Sequence, residues 1–207
     1  MKHLIIIGIG NFSKIVKEYA CKCNGYGSEW TLKGHLTSEF DSALSYSDAI
    51  GTIDEYCPQA DDVFICSYVS GKEREIATRK IEEKNGKFIN IIHPWANICS
   101  SARMGTGNII GAFATLSVDT IIGNHNIIQD HCNLGHDSVI GNYSHLYVGT
   151  IISGKNQIGN NVSVYTGVIV YPTLKIEDNA NVGAGSVVMR KVKTDTTVLG
   201  NPAKLVE

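Results

Sequence analysis

The chain has 207 residues, of which 43% are hydrophobic and 18% charged, and its formal net charge is -2. A chain of this size forms one large or two small globular domains, and its charge excludes a basic surface for nucleic acid and an acidic tail. The apolar run at the N-terminus is too short for a signal peptide, and no apolar stretch approaches the ~18 residues of a membrane span. We therefore expect a cytoplasmic protein without membrane insertion.

The cysteines are scattered, without the paired CxxC spacing that is typical of zinc sites. Their spacing does not indicate a disulfide framework either, so we expect reduced thiols, most of them buried, and no bound metal. They are Cys21, Cys23, Cys57, Cys66, Cys99 and Cys132.

The first predicted elements are a buried strand and a helix. The strand covers residues 3–9 and runs into a glycine-containing loop at 8–13. Asn11 or Ser13 is placed to cap the helix that continues over 14–23.

Two strands, a second helix and a closing strand are predicted next, at 30–37, 63–68, 72–84 and 88–92. In the second helix, Ile76, Ala77 and Ile81 are expected on one apolar face amid nine charged residues. Alternating strands and helices predict a small α/β unit with a parallel sheet, and His93-Pro94 ends it.

After Pro94 the sequence acquires a period of six residues. Sixteen consecutive positions, stepped by six from residue 98, are all aliphatic or methionine: Ile98, Met104, Ile110, Leu116, Ile122, Ile128, Leu134, Ile140, Leu146, Ile152, Ile158, Val164, Val170, Ile176, Val182 and Val188. At this composition, chance gives such a run in about one register in a million. A helix is excluded, because it requires apolar residues every three to four positions.

Small residues also recur at fixed places in the six-residue unit. The fourth position after the aliphatic residue is small in Ala102, Ala114, Thr120, Cys132, Ser138, Ser144, Thr150, Ala180 and Ser186. The position directly after the aliphatic residue is often glycine, as in Gly105, Gly111, Gly123, Gly135, Gly141, Gly159 and Gly183. Such a unit suits a short strand and a tight turn, and three units form one triangular coil. Residues 98–187 then make five coils, stacked at about 4.8 Å without an inserted loop.

These repeats resemble those of the hexapeptide-repeat acyltransferases. The resemblance implies a left-handed parallel β-helix and a homotrimer. The domain arrangement narrows the resemblance to a smaller group of these acyltransferases. We expect a small Rossmann-like α/β domain at 1–93 and then a β-helix domain at 94–207, which ends in a Gly-Asn-Pro-Ala-Lys run at 200–204. This combination is similar to sugar acyltransferases of the sialic acid O-acetyltransferase type and to N-acetyltransferases of UDP-linked 4-amino-sugars.

Acetyl transfer from a thioester needs a base for the nucleophile's proton and a donor for the developing oxyanion. No cysteine or serine motif indicates a covalent intermediate, so we predict direct attack. The segment 135–145 resembles the family segment in which a histidine followed by an acid supplies the base. The resemblance implies that His136 is this base and that Asp137 orients it or raises its basicity.

Three other histidines lie in the repeat. The resemblance implies that His145, nine residues after His136, lies near the thioester end of coenzyme A. His131 is the alternative base, and His125 is expected at the surface. Each is also consistent with a solvated turn residue, because polar side chains occupy the outer positions of any β-helix.

Gly154 lies one full coil after His136 and is expected to stack on it, where its missing side chain leaves a groove. The resemblance implies that the pantetheine arm of acetyl-CoA lies there. Glycine also has a purely structural use at coil corners. The other predicted coenzyme-binding residues are Gly183, Ala184, Gly185, Asn201, Pro202 and Lys204.

The loop at 8–13 opens a helix, and backbone amides at such a place suit a phosphate. Ser13 replaces the third glycine of a dinucleotide fingerprint, so we do not expect NAD. In the resembling enzymes a Gly-x-x-Gly-His-Gly loop holds the nucleotide sugar and an acidic pair follows the second strand, where this chain has Leu-Thr-Ser at 36–38. The predicted sugar-binding residues are Gly8, Gly10, Asn11, Phe12, Ser13, Thr37 and Ser67.

Together with these residues, the resemblance implies acetyl-CoA-dependent N-acetylation of a nucleotide-linked amino-sugar used in surface glycans. Acetylation of a sugar hydroxyl, on sialic acid or a polysaccharide, is the near alternative. An alternative of another class is a non-catalytic β-helix, or a metal-dependent one resembling the γ-class carbonic anhydrases. The metal-dependent form needs three histidines that converge between subunits, such as His131, His136 and a neighbour.

Overall fold

The structure is a computed structural model that describes residues 1–41 and 48–206. The chain divides into two compact units, Met1–Pro94 and Trp95–Glu207.

Within its described residues, the N-terminal unit contains six strands and two helices. In chain order they are β1 (Lys2–Ile7), α1 (Asn11–Lys22), β2 (Trp30–Thr37), β3 (Ala49–Thr52), β4 (Asp62–Cys66), α2 (Gly71–Glu82), β5 (Lys87–Phe88) and β6 (Ile91–Ile92). Five strands form one sheet in the order β3-β2-β1-β4-β5, and all four strand pairs are parallel. The predicted α/β unit with a parallel sheet is therefore present.

The central strand β1 explains where the core of this unit lies. Residues 4–7 are 0% exposed, because a central strand of a parallel sheet is covered on both faces. Ile7 pairs with Leu36 of β2 and with Cys66 of β4. The carboxyl ends of these three strands consequently meet at one edge of the sheet, where ligands commonly bind.

Three details of the predicted N-terminal elements are wrong. The strand at 3–9 ends at Ile7, because Gly8 has a φ of 101°. Neither Asn11 nor Ser13 caps α1: Gly10 is the cap residue and makes no side-chain bond, Asn11 is already helical, and the Ser13 hydroxyl donates to the Gly10 carbonyl. The edge strand β3 was not predicted, because it is short and exposed and has no apolar pattern.

The predicted apolar face of α2 is also partly wrong. Ala77 and Ile81 are 0% exposed, but Ile76 is 45% exposed. The buried face instead includes Arg74, whose guanidinium donates to the carbonyls of Tyr68 and Val69. A single residue step rotates a side chain by about 100°, so a neighbour of a buried helical position faces water.

The second unit is a parallel β-solenoid with three faces. The first face consists of Asn97–Ile98, Thr115–Leu116, Asn133–Leu134, Ile151–Ile152, Ile169–Val170 and Val187–Val188. The second consists of Arg103–Met104, Ile121–Ile122, Val139–Ile140, Gln157–Ile158 and Lys175–Ile176. The third includes Ile109–Ile110, Ile127–Ile128, His145–Leu146, Ser163–Val164, Asn181–Val182, Thr197–Leu199 and Lys204–Leu205.

The register of the solenoid confirms the period read from the sequence. Each strand pairs with the strand three units further along the chain, as Leu134 does with Ile152 and Ile152 with Val170. The predicted aliphatic positions from Ile110 to Val188 are at most 2% exposed. Ile98 and Met104 are half-buried at the start of the solenoid. Stacked coils thus bury one aliphatic side chain per unit.

Each six-residue unit turns at one residue in the left-handed region. These residues recur every six positions from 107 to 185, with φ between 53° and 71°. Four of them are glycines and most others are Asn, Asp or His, residue types for which this conformation costs least. The corner geometry therefore explains why histidines and aspartates occur at the turns.

Hydrogen-bonded ladders of side chains stabilise one corner of the solenoid. In the buried ladder, Asn126 N–H donates to Asn108 Oδ1 (2.8 Å) and Ser144 N–H donates to Asn126 Oδ1 (2.8 Å). In the exposed ladder, Asn124 N–H donates to Asn142 Oδ1 and Asn142 N–H to Asn160 Oδ1. Both ladders join residues one coil apart, so they stabilise the same coil register.

The last coil is shorter than the others. Ile176 bridges Val192 and Val182 pairs with Val198, so each partner lies two positions earlier than the regular register requires. The chain then forms an antiparallel pair in which Leu199 lies opposite Lys204. The Ala203 N–H donates to the Val187 carbonyl (2.8 Å), which fixes the tail against the last strand of the first face.

Within 1–41 and 48–206, neither helix is long and apolar enough to cross a membrane.

Candidate active site

His136 lies at the corner between the first and second faces of the solenoid. It follows the buried Leu134 by two residues and precedes Asp137, which occupies the left-handed turn position with a φ of 57°. The Lys155 N–H donates to the His136 carbonyl (2.8 Å) and the Asp137 N–H donates to the Val118 carbonyl (3.1 Å). The backbone of the pair is therefore held by the coils on both sides.

The side chains of His136 and Asp137 form a hydrogen-bonded pair. His136 Nδ1 lies 2.7 Å from Asp137 Oδ2, and the two side chains are 54% and 48% exposed. Because an ionised carboxylate only accepts, the hydrogen is on Nδ1 of the imidazole. In the neutral ring the lone pair is then on Nε2, the nitrogen a general base requires.

Gly154 packs directly against the His136 imidazole. A Cβ atom on Gly154 would lie 2.5 Å from His136 Nε2 and 2.8 Å from its two carbon neighbours. The expected stacking of the two positions is thus seen in the structure. Space left by the missing side chain is occupied by the imidazole ring itself, so any other residue at 154 displaces the ring.

His145 lies on the third face, away from the His136 corner. It is 1% exposed, and its ring stacks on Tyr147 with a centroid separation of 3.7 Å. Tyr147 stacks in turn on Tyr165 at 4.7 Å, one coil further on. The sequence did not single out either tyrosine, although their spacing of one coil is the signal that two side chains stack.

The remaining repeat histidines belong to other corners. His131 is exposed and stacks on Phe113 at 5.0 Å between centroids. The expectation that His125 lies at the surface is wrong: it is 2% exposed and stacks on Tyr143 at 5.2 Å. The absence of a side chain at Gly107 makes room for the His125 ring, since a Cβ there would lie 2.2 Å from His125 Nδ1.

The predicted coenzyme-binding residues near the C-terminus are brought together. The corner at 183–185 joins the third face to the first, and the tail at 200–204 packs beside it. The Gly200 N–H donates to the Ser186 hydroxyl (3.0 Å), and Val187 N–H donates to the Gly200 carbonyl. Within one chain, this group and His136 occupy different corners of the solenoid. Its exposed members are Ala184, Gly185, Asn201 and Pro202, together with Lys204.

The N-terminal unit has a cleft of about 380 Å³ at the carboxyl edge of its sheet. Four predicted sugar-binding residues line it, namely Gly10, Asn11, Phe12 and Ser67. The sequence did not identify the other lining residues: Ile9, Phe40, Asp41, Tyr68, Val69 and Glu73. The cleft combines aromatic walls with two carboxylates, and its described lining residues include no lysine or arginine.

Asp41 organises the polar part of this cleft. Its carboxylate accepts from the backbone N–H groups of Ile9 (3.1 Å) and Ser38 (2.9 Å) and from the Tyr68 hydroxyl (2.6 Å). Burial, and then the bond to Asp41, raise the pKa of Tyr68 well above its usual value, so the phenol stays a donor. The sequence signal for Asp41 was the acidic pair that follows the second strand in the resembling enzymes. In this chain Asp41 comes three residues after 36–38, where that pair was expected.

Three predicted sugar-binding residues are not among the residues that line the cleft. Ser13 is 0% exposed, and Thr37 is half-buried at the end of β2. Gly8 lies behind the cleft, where a Cβ would lie 2.7 Å from Ser67 Oγ and 3.0 Å from the Tyr68 ring. A glycine at position 8 permits the close approach of Ser67 and Tyr68, and it also tolerates the positive φ there.

The described residues of these sites provide neither a metal cluster nor a reactive thiol. Across 1–41 and 48–206, no group of three His, Cys, Asp or Glu side chains is placed to hold a metal ion. All six cysteines are free, but only Cys66 and Cys132 are buried, so the expectation of mostly buried thiols is wrong. Burial raises the pKa of both buried thiols to about 12, and neither is a thiolate at neutral pH.

No protein-family model matches the chain, and no curated protein is similar to it in sequence. Similar solved structures include perosamine N-acetyltransferase from Caulobacter crescentus in complex with CoA and GDP-perosamine. Its TM-score is 0.90 at 24% identity, over 100% of this chain and 98% of that chain. This chain has the same fold. That structure carries a histidine-to-asparagine substitution.

Two further solved structures have the same fold over their whole length. The acetyltransferase domain of PglB from Neisseria gonorrhoeae, in complex with acetyl coenzyme A, has a TM-score of 0.87 at 24% identity, covering 99% of each chain. WeeI from Acinetobacter baumannii has a TM-score of 0.87 at 20% identity, covering 100% of each chain. The shared fold therefore extends over both units.

Proposed function

We propose that this protein is an acetyl-CoA-dependent acetyltransferase that N-acetylates a nucleotide-linked amino-sugar for surface glycan biosynthesis in the cytoplasm. The observation that carries the proposal is the His136–Asp137 pair, which leaves Nε2 available on a solenoid shared with sugar acetyltransferases. Complexes of those proteins with CoA, acetyl coenzyme A and GDP-perosamine support the choice of donor and acceptor.

The geometry supports a single-step transfer. The amine nitrogen of the sugar attacks the thioester carbonyl carbon while His136 Nε2 takes the amine proton. The carbon–sulfur bond then breaks, and the imidazolium returns a proton to the departing thiolate. Asp137 accepts a hydrogen bond from Nδ1–H throughout, so it holds the ring in one tautomer and stabilises the imidazolium. No cysteine nucleophile is needed.

We assign the acceptor's nucleotide to the cleft of the N-terminal unit. Aromatic walls from Phe12, Phe40 and Tyr68 suit a planar base, and the N-terminal amides of α1 suit a phosphate. The carboxylates of Asp41 and Glu73 favour contacts with N–H and O–H donors of the base or ribose. We describe this unit as Rossmann-like because its sheet is parallel and the loops assigned to the nucleotide lie at the carboxyl edge of that sheet.

We further infer a left-handed β-helix that assembles as a homotrimer. His136 and the 183–185 corner occupy different corners of one solenoid, so one chain does not place both beside the same thioester. A threefold arrangement of solenoids brings the His136 corner of one chain beside the 183–185 corner of the next. Light scattering tests the mass, and a species of one chain would contradict the inference.

The direct test is an assay of the purified protein with acetyl-CoA and a panel of GDP-, UDP- and dTDP-linked 4-amino-sugars. We expect release of CoA and a product heavier by one acetyl group with at least one acceptor. Thermal shift selects the panel, because a ligand that binds only the folded state raises its stability. Absence of both CoA binding and acetyl transfer would refute the proposed function.

Acetylation of a hydroxyl is the second candidate, since the same base can take a proton from an alcohol. Mild hydroxylamine separates the two, because it cleaves an ester and leaves an amide intact. We expect a stable product. A labile product would reassign the protein as a sugar O-acetyltransferase.

A further inference from the structure

The half-buried Glu73 lines the cleft of the N-terminal unit, and its carboxylate is not used by the fold. Helix α2 begins after Ser70, whose hydroxyl accepts from the Glu73 N–H (3.4 Å). A Ser-x-x-Glu sequence at this place commonly forms a capping box, in which the glutamate accepts from the serine N–H in return. Among residues 1–41 and 48–206, the Glu73 carboxylate makes neither that return bond nor an ion pair.

The start of α2 fixes the position of Glu73. The next residue, Arg74, is 0% exposed, and its guanidinium donates to the carbonyls of Tyr68 (2.5 Å) and Val69 (3.2 Å). Tyr68 and Val69 also line the cleft, so these bonds hold the first turn of α2 against the cleft wall. The helix dipole favours a negative charge in this turn. Glu73 therefore presents a fixed acceptor to a ligand in the cleft.

Other polar groups of the cleft are engaged within the protein. The Asp41 carboxylate already accepts from two backbone N–H groups and from the Tyr68 hydroxyl. The Ser67 hydroxyl donates to the Ile7 carbonyl (2.8 Å). Of the two carboxylates in the described lining, Glu73 is thus the one with both oxygens open to a ligand.

The aromatic walls of the cleft suit any nucleobase. The Phe40 and Tyr68 rings pack edge to face, with centroids 5.7 Å apart and planes at 85°. Stacking of a base on an aromatic ring tolerates every base, because each base has a π-face. The choice between bases is therefore left to the polar groups.

A carboxylate with two open oxygens discriminates between bases, because it only accepts hydrogen bonds. Guanine presents two neighbouring donors on one edge, the ring N1–H and the exocyclic N2 amine. Uracil and thymine present one N–H between two carbonyls, and those carbonyl oxygens would face the carboxylate without a donor. Adenine and cytosine present an amine beside a ring acceptor. Guanine is thus the base that matches the carboxylate at both oxygens.

We propose that Glu73 recognises the N1–H and N2 amine edge of guanine, so that the cleft takes a guanosine diphosphate in preference to a uridine diphosphate. This inference rests on the proposed function, which assigns the acceptor's nucleotide to this cleft, and it names the acceptor as a GDP-linked amino-sugar. The ribose hydroxyls are the competing partner of Glu73. They are the same in GDP and UDP, so a ribose contact would not depend on the base.

The test measures the binding of GDP, IDP and UDP to the wild-type protein and to Glu73→Gln by calorimetry. IDP keeps the N1–H and lacks the N2 amine. We expect the wild-type protein to bind GDP about ten- to a hundredfold more tightly than UDP, with IDP between them. In Glu73→Gln we expect Kd for GDP to rise roughly tenfold or more, as for loss of a charge-assisted bond, and Kd for UDP to stay within about twofold.

Glu75→Gln is the matched control, because it makes the same change on the same helix. Glu75 pairs with Arg79 and is not among the residues that line the cleft. This variant should leave Kd for GDP within about twofold. Equal losses of GDP and UDP binding in Glu73→Gln would identify a ribose contact and overturn the assignment. A wild-type protein that binds UDP as tightly as GDP would overturn it as well.

Transfer assays with acetyl-CoA separate this inference from the proposed function. GDP binding that depends on Glu73, without CoA binding or acetyl transfer, would uphold the recognition of guanine and refute the proposed function. Acetyl transfer to UDP-linked amino-sugars in preference to GDP-linked ones would uphold the proposed function and refute the present inference. A protein that binds neither CoA nor a nucleoside diphosphate and transfers no acetyl group would refute both.

Discussion

Different kinds of hydrogen bonding stabilise the interiors of the two units. In the solenoid the hydrogen bonds between coils repeat along a corner, as between Asn124 and Asn142 and between Asn142 and Asn160. In the N-terminal unit, by contrast, each hydrogen bond that shapes the cleft has its own pair of partners and is not repeated. Ser67, for example, donates to the Ile7 carbonyl, and Asp41 accepts from the Ile9 N–H, each across a long stretch of chain.

This difference shows where function is visible in each unit. In the solenoid, the regular period is enough to place Gly154 one coil after His136, and the resemblance of the segment 135–145 to a family segment makes His136 a candidate. In the N-terminal unit no repeat supplies a background. Asp41 and Tyr68 become candidates only when the fold brings their loops together.

The strongest way to test the role of the solenoid is to remove the base. We expect His136→Ala to reduce kcat by roughly two to four orders of magnitude, the usual effect of losing a general base. The melting temperature should stay unchanged, because the side chain is half exposed and its hydrogen bond is to Asp137, which is equally exposed. Steady-state kinetics and thermal unfolding check both statements.

His131→Ala is the control for this variant, because His131 is the alternative base at another corner. Its removal should leave kcat within about threefold, since it takes no part in proton transfer. A large loss in His131→Ala together with normal turnover in His136→Ala would exchange the two roles.

A second test concerns the packing of Gly154 against the imidazole. The Cβ of Gly154→Ala would meet His136 Nε2 at 2.5 Å, so the ring must move. We expect kcat to fall about ten- to a hundredfold, because displacing a catalytic group by an ångström is costly. Introducing the same change into His136→Ala should produce no further loss. An additive loss in the double variant would show that Gly154 acts independently of His136.

A third test compares the buried and exposed ladders at one corner. Asn126 is 1% exposed, accepts from Ser144 N–H and donates to the Gly141 carbonyl. We expect Asn126→Ala to lower the free energy of unfolding by about 2–3 kcal/mol, because it leaves buried groups without partners. In Asn142→Ala water replaces the lost bond, and the loss should be about 0.5 kcal/mol. Equal losses in denaturant unfolding would contradict this explanation.

The last test concerns the N-terminal unit, where Asp62 accepts from Lys33 (2.8 Å), Tyr56 (2.7 Å) and Gln59 N–H (2.8 Å). Burial tends to raise the pKa of Asp62, but the bonds from Lys33, Gln59 and Tyr56 outweigh it and hold the pKa below its ordinary value of 3.8. We expect Asp62→Asn to cost about 1–2 kcal/mol at neutral pH.

The pH dependence of this loss follows from the direction of the shift. A lowered pKa in the folded state stabilises the fold above the unfolded pKa, and the gain disappears as pH falls through the folded value. The difference in unfolding free energy between wild type and Asp62→Asn should therefore be constant from about pH 7 to 5 and shrink below 3.8. A difference that grows toward acid would contradict the pairing of the carboxylate.

The solenoid was predictable from sequence almost residue by residue, whereas details of the N-terminal unit were not. The six-residue period gave the aliphatic core, the register of the coils and the stacking of His136 on Gly154. It did not give the burial of His125, which depends on Gly107 making room one coil earlier. The exposure of Ile76 was also missed, because one step along a helix decides whether a side chain faces the sheet or water.

By itself the sequence determined the solenoid and the strand–helix alternation, because these depend on local periodicity. The candidate base, His136, came from the resemblance of the segment 135–145 to a family segment. The tertiary structure decided the rest: the tautomer of His136 that Asp137 selects, the cleft around Asp41, and the buried pairing of Asp62 with Lys33. Each of these depends on distances between side chains, and no periodicity records them. Chain topology alone brings such groups within hydrogen-bonding range and removes the water that would otherwise weaken their contacts.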